Sequence, residues 1–146
     1  MVPEFDKGGF GTEPFGRRVE KPWGHEVLLT PPEAPYTAKL ITVRAGKQLS
    51  LQIHDVKVET QTLVSGEGTL VIEGADGHLQ EVELRPGVGY HVAVGQRHRL
   101  RATTDMVVFE ASSPEAGTTS RLEDDYRRPD ETEALRAQER GASNPR

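Results

Sequence analysis

Between Trp23 and Ala111 apolar and polar residues alternate in short runs broken by glycine and proline, and this period of two predicts strands rather than helices. The runs fall at 25–29, 37–43, 49–54, 58–64, 69–73, 79–84, 89–92, 97–102 and 106–111. Between them stand Pro31-Pro32, Ala45-Gly46, Ser65-Gly66-Glu67-Gly68, Gly74-Ala75-Asp76-Gly77 and Arg85-Pro86-Gly87, each a turn signal. Nine short strands at this spacing predict one all-β sandwich or barrel over residues 19–115. Residues 1–18 are rich in glycine and proline, with Phe5, Phe10 and Phe15 as isolated aromatics, and predict a flexible arm able to pack on this subunit or a neighbour. In 116–146, Asp130-Glu131-Thr132-Glu133 has the form of a helix start, and Arg136, Arg140 and Gly141 that of a helix end. A short helix of about ten residues is expected there, with a disordered end from about Gly141.

Strand parity decides which side chains can meet. On 49–54, Leu49, Leu51 and Ile53 alternate with Ser50, Gln52 and His54, so only one set faces the interior. With the polar set inward, the apolar stripe faces out and needs a cover, either the arm or a second subunit; that stripe is the reason to expect a homodimer. The opposite assignment buries the leucines and leaves Gln52 and His54 on the surface. On 97–102, Arg97, Arg99 and Arg101 must be solvated or paired, which turns His98, Leu100 and Ala102 inward. A lone inward histidine is more often a hydrogen-bonded core residue than a ligand. Here Gln52, His54 and Glu59 lie within eight residues on two consecutive strands, and His98 would be a fourth donor.

Composition narrows the chemistry. The absence of cysteine excludes a disulfide framework, a thiolate metal site and a cysteine nucleophile, and suits a cytoplasmic protein. No apolar run approaches the ~20 residues that span a bilayer, and no signal-peptide core opens the chain, so no membrane partner is expected. The net charge of −5 argues against nucleic acid and leaves a small-molecule substrate as the default.

The spacing of these residues carries a resemblance. Gly46, five residues, Gln52, one residue, His54, four residues, Glu59, six residues and Gly66 resembles the first cupin motif, with Gln52 where that motif has its first histidine. Gly87, Gly95 and His98 resemble the second motif, with Ala93 and Ala102 at its proline and asparagine places. The phrase Leu49-Ser50-Leu51-Gln52-Ile53-His54 is similar to the cupin domain of type II mannose-6-phosphate isomerases. So are Lys21-Pro22-Trp23-Gly24, Glu110 and the stretch Arg121-Leu122-Glu123-Asp124-Asp125-Tyr126-Arg127-Arg128, which carries the resemblance over residues 19–128. Asp55, Thr60 and Arg127 depart from that pattern, Arg127 standing in place of a glycine.

The resemblance implies a jelly-roll, double-stranded β-helix holding a divalent ion on Gln52, His54, Glu59 and His98. Zinc, manganese, iron and nickel all suit two imidazoles, a carboxylate and a neutral amide. It also implies a metal-dependent aldose-ketose isomerase acting on a small polar sugar such as a sugar phosphate, the ion polarising a carbonyl and its neighbouring hydroxyl. Glu110 and Lys57 are the candidates for moving the proton, and Lys47 and Lys57 for binding phosphate; solvated or ion-paired roles are the plainer reading of all three. An iron-dependent dioxygenase built on His54, Glu59 and His98, a biosynthetic tailoring enzyme and a non-catalytic ligand-binding cupin stay open as alternatives.

Overall fold

The computed structural model describes residues 1–141, which hold eleven strands and one helix. β1 (Arg17–Lys21), β2 (Gly24–Leu28), β3 (Thr37–Val43), β10 (Met106–Ser112), β5 (Glu59–Ser65) and β8 (Tyr90–Val92) form a six-stranded sheet in that order. β11 (Thr119–Glu123), β4 (Leu51–His54), β9 (His98–Ala102), β6 (Gly68–Glu73) and β7 (Leu79–Glu83) form the second, five-stranded sheet. Every pairing between these strands is antiparallel. The turn from β5 to β6 needs glycine at Gly66: its φ is 83°, and a Cβ there would fall 2.1 Å from the carbonyl oxygen of Asp105.

Two strands, β1 and β11, lie outside the nine expected. Their sequences, RRVEK and TSRLE, hold one aliphatic residue each, so neither shows an apolar period. They form by pairing along the edges of finished sheets, β1 on β2 and β11 on β4.

The buried face changes character along its length. On β3 the buried residues are Lys39, Ile41 and Val43, and on β10 they are Met106, Val108 and Glu110. Register sets Met106 opposite Val43, and Glu110 opposite both Lys39 and Gln61. One end of these strands is therefore apolar and the other charged. The apolar end packs with Leu63, Leu70, Leu100, Leu84 and Trp23 as the core, where each such side chain contributes about 1.5–3 kcal/mol by burial. The charged end holds the candidate site.

Leu49, Leu51 and Ile53 do not form an exposed stripe. Leu49 and Leu51 are 8% and 5% exposed, and Ile53 is half-buried. Regular strand begins only at Leu51, so Leu49 and its neighbour Ser50 both turn inward, Leu49 into the core. This removes the motive for a dimer across that strip. Residues 1–16 form no strand or helix, and Phe5 and Phe10 are exposed.

The helix α1 (Glu133–Glu139) has seven residues, fewer than expected. Its N-cap is Thr132, whose hydroxyl accepts from the Leu135 amide at 3.2 Å. Asp130 and Glu131 are engaged elsewhere: the Asp130 carboxylate accepts from the Arg121 amide at 2.8 Å, and the Glu131 backbone bridges to Thr119. The expected disordered end concerns residues 142–146, outside the described residues. Among the described residues no helix is long and apolar enough to cross a membrane.

Candidate metal centre

Both sheets contribute to the site. His54 ends β4, His98 starts β9 and Glu59 starts β5, and one ligand-type atom from each lies within 4.8 Å of the others. Their side chains are 4%, 1% and 1% exposed. His98 Nδ1 lies 3.0 Å from the carbonyl of Gln96, which calls for a proton on Nδ1 and a lone pair on Nε2. His54 Nδ1 lies 2.9 Å from Thr119 Oγ1, and donation to that hydroxyl has the same result.

The Nε2 atoms of His98 and His54 stand 2.9 Å and 3.5 Å from Glu59 Oε1, and Lys57 Nζ stands 3.2 Å from Glu59 Oε2. Even so, neither Glu59 oxygen nor His54 Nε2 makes a hydrogen bond. A buried acceptor left without a donor costs about 1–3 kcal/mol, and a cation at the common focus would satisfy several at once. Burial alone would raise the Glu59 carboxyl, but the Lys57 ammonium beside it holds it well below the usual carboxylate range. Burial lowers His54. A carboxylate and a neutral imidazole are the forms that bind metal.

Gln52 sits opposite His98 in the β4–β9 register. Its Oε1 accepts from the Ser50 hydroxyl at 2.9 Å, and its Nε2 stands 3.5 Å from His98 Nε2. In this orientation the amide offers its nitrogen to the site. Turning it over would present the oxygen, with Nε2 then donating to Ser50.

Beside the triad lies a second buried charge cluster. Lys57 Nζ is 3.2 Å from Glu110 Oε2, and Gln61 donates to Glu110 Oε1 at 3.3 Å. Lys39 Nζ is 2.9 Å from Glu115, 3.0 Å from Glu26 and 3.6 Å from Glu110. Burial, reinforced by the charge of Glu59, pushes the Glu110 carboxyl up to about 7 against the pull of Lys39 and Lys57. Burial works against the Lys39 ammonium, but Glu110, Glu115 and Glu26 outweigh it and hold Lys39 well above its usual value. Glu110 and Lys57 are 2% and 6% exposed, so the solvated reading of these two is overturned. Lys47 is exposed and does not line the cavity, so phosphate binding there is withdrawn.

One cavity of about 50 Å³ touches both clusters, the triad through His54 alone, and is lined by Gln52, Lys57 and Glu110 of the barrel and by Arg136 and Arg140 of the C-terminal segment. Sequence reading missed Lys39, Glu26, Glu115, Arg136 and Arg140 as site residues. Lys39 was in phase with Ile41 and Val43, and Glu26 with Leu28, so parity carried the signal and charge masked it. Arg136 and Arg140 stand one helical turn apart, which sets them on one face without saying what that face meets.

A family model described as mannose-6-phosphate isomerase C-terminal matches residues 12–128. The chain belongs to that family. The match takes in all eleven strands and ends before α1. The chain has no match among curated proteins. Among solved structures it is similar to the capsular polysaccharide assembling protein CapF from Staphylococcus aureus, at 15% identity and TM-score 0.60 over 80% of this chain and 34% of that one. It is also similar to KdgF from Halomonas sp., at 19% identity and TM-score 0.57 over 69% of this chain and 88% of that one. A tryptophan-to-phenylalanine variant of oxalate decarboxylase from Bacillus subtilis aligns at 16% identity and TM-score 0.66 over 82% of this chain and 35% of that one. The chain thus spans about a third of the length of CapF and of the decarboxylase. These neighbours show a shared cupin jelly roll, the fold that the resemblance implies.

Proposed function

We propose that the chain is a metal-dependent aldose-ketose isomerase acting on a small anionic sugar such as a sugar phosphate. The observation that supports this most is the convergence of His54, Glu59 and His98 on one buried point with acceptors lacking hydrogen bonds. These three, with the Gln52 amide turned over, would hold a divalent ion of zinc, manganese, iron or nickel, which polarises a carbonyl and its neighbouring hydroxyl. Glu110 is the catalytic residue of this reading and carries the proton between adjacent carbons. Lys57, within 3.2 Å of Glu110, faces the negative charge that develops.

The cavity's charge favours an anion. Seven cationic side chains, Lys21, Lys39, Lys57, Arg121, Arg128, Arg136 and Arg140, line it against four carboxylates, Glu26, Glu110, Glu115 and Glu131. Pairing with Asp124 and Glu139 offsets part of the surplus, and a divalent ion on Glu59 adds to it. A phosphate complements that field although the whole chain carries −5. The metal-loaded protein should interconvert an aldose phosphate and its ketose, and His54→Ala should abolish the reaction. No turnover across hexose and pentose phosphates with metal bound would remove this reading.

The present orientation of Gln52 favours a second reading. With nitrogen facing the site, the donors reduce to two histidines and a carboxylate, the set of iron-dependent oxygenases. Substrate-dependent oxygen uptake by the Fe(II) form would decide for it.

A further inference from the structure

The cavity beside the triad, at about 50 Å³, has room for only a few water molecules, whereas sites for small molecules start at roughly 300 Å³. With the triad side chains at most 4% exposed, no sugar-sized molecule reaches them in this conformation. One wall of the cavity is not part of the barrel. Glu131, Arg136 and Arg140 line it from beyond residue 128, where the family match ends.

Apolar packing holds this wall only weakly, because Arg136 is the one buried residue of α1. Its base is fixed by main-chain hydrogen bonds, Glu131 both donating to and accepting from Thr119 at 2.9 Å, and charge holds the rest. Arg140 Nη2 lies 2.5 Å from Glu115 Oε2, Arg136 Nε lies 2.8 Å from Glu131, and Lys21 Nζ lies 3.0 Å from Glu139. The Arg17 guanidinium donates to the Arg140 carbonyl at 2.9 Å. A helix of seven residues is well short of the ~12–15 at which an isolated helix becomes even marginal, so these pairs keep it in place. Just before this segment, Arg127 has φ 54°, the one non-glycine residue in the left-handed region among the described residues. It stands where the resembling isomerases have glycine, a strained point at the base of the wall.

We infer that residues 132–141 form a charge-latched lid over the metal cavity, pivoting just beyond the bridge between Glu131 and Thr119, and that Arg136 and Arg140 determine which ligands reach the metal. The lid bears on function through the metal site proposed above, but its opening is measurable without it. The full chain is loaded with Co(II), whose visible spectrum reports binding of benzohydroxamate, a bidentate chelator. A latched lid makes the binding rate level off with chelator concentration at the rate of opening. High salt and Arg140→Ala each raise that plateau about tenfold or more. A rate that stays linear in chelator concentration and does not respond to salt overturns the lid, and this arm uses the unaltered chain should Arg140→Ala not fold.

If no Co(II) binds, the metal reading fails by itself and hydrogen exchange on the metal-free chain decides the lid. The helical amides of Arg136 and Arg140, bonded to the carbonyls of Thr132 and Arg136, should exchange about tenfold or more faster than those of β3 and β10, and faster still in high salt. Protection equal to that of the barrel overturns the proposal. Arg101→Ala, which breaks an exposed pair with Glu81, leaves both readouts unchanged.

Discussion

Two buried polar clusters share one cavity and differ in what they lack. Around Lys39 a cation meets the carboxylates of Glu26, Glu110 and Glu115, and Lys57 and Arg140 stand beside those acids as further cations. Around His54, Glu59 and His98, Lys57 meets Glu59 Oε2, but Glu59 Oε1 faces two imidazole Nε2 atoms and no cation. Both are equally hidden from water, so burial does not tell a binding site from a structural one. Charge pairing does: each carboxylate around Lys39 meets a cation as folded, whereas the triad turns imidazole lone pairs on a carboxylate oxygen and calls for an ion between them.

Removing the centre of the paired cluster should have the largest effect. Lys39→Met leaves three buried carboxylates with only Lys57 and Arg140 to pair them and should cost about 3–5 kcal/mol in denaturant unfolding of the metal-free protein; a loss below about 1 kcal/mol would erase the distinction. The triad should behave the opposite way. His98→Gln, which keeps a buried polar side chain in that place, should change metal-free stability less than Lys39→Met does but lower affinity for a divalent ion by about a hundredfold or more, read by calorimetry. At a free metal concentration of about 100 times Kd the unaltered protein should gain about 2.7 kcal/mol, a gain absent from the variant.

Acid should act on the charges that seat α1. Burial would raise Glu131, but Lys21, Lys39 and Arg136 bring it down to about 2. A carboxylate lowered on folding contributes stability above its ordinary value of 4.5, and that contribution fades as pH falls toward 2. Glu131→Gln should therefore be less stable than the unaltered chain at pH 7, on the order of 1–2 kcal/mol, with the gap closing near pH 2 in unfolding titrations. The smallest expected effect is a gain: Arg127→Gly relieves the left-handed backbone and should stabilise by up to about 1 kcal/mol in thermal unfolding, or leave stability unchanged if the added chain entropy offsets it.

Much of the site was legible because strand parity is local. Arg97, Arg99 and Arg101 are all paired or half-buried on the outer side, and His98 is 1% exposed, as their alternation requires. The motif spacing brought His54, Glu59 and His98 forward together. Parity misled at Leu49 and Ser50, where the chain is not yet regular strand and consecutive residues are both buried. It was overruled at Lys39 and Glu26, because a charged residue among apolar ones reads as exposed unless its partners are known.

By itself the sequence determined nine of the eleven strands, the donor types and the inward face of His98, since a period of two records a residue's own orientation in its own segment, while it left the face of Gln52 and His54 open. Only the tertiary structure decided that Lys39 lies among three carboxylates, that Gln52 bonds Ser50 beside His98, and that Arg136 and Arg140 line the cavity. Those facts depend on partners from distant segments: the Arg17 guanidinium meets the Arg140 carbonyl 123 positions away. The pattern along a chain states which way a side chain points, and packing alone states what it finds there.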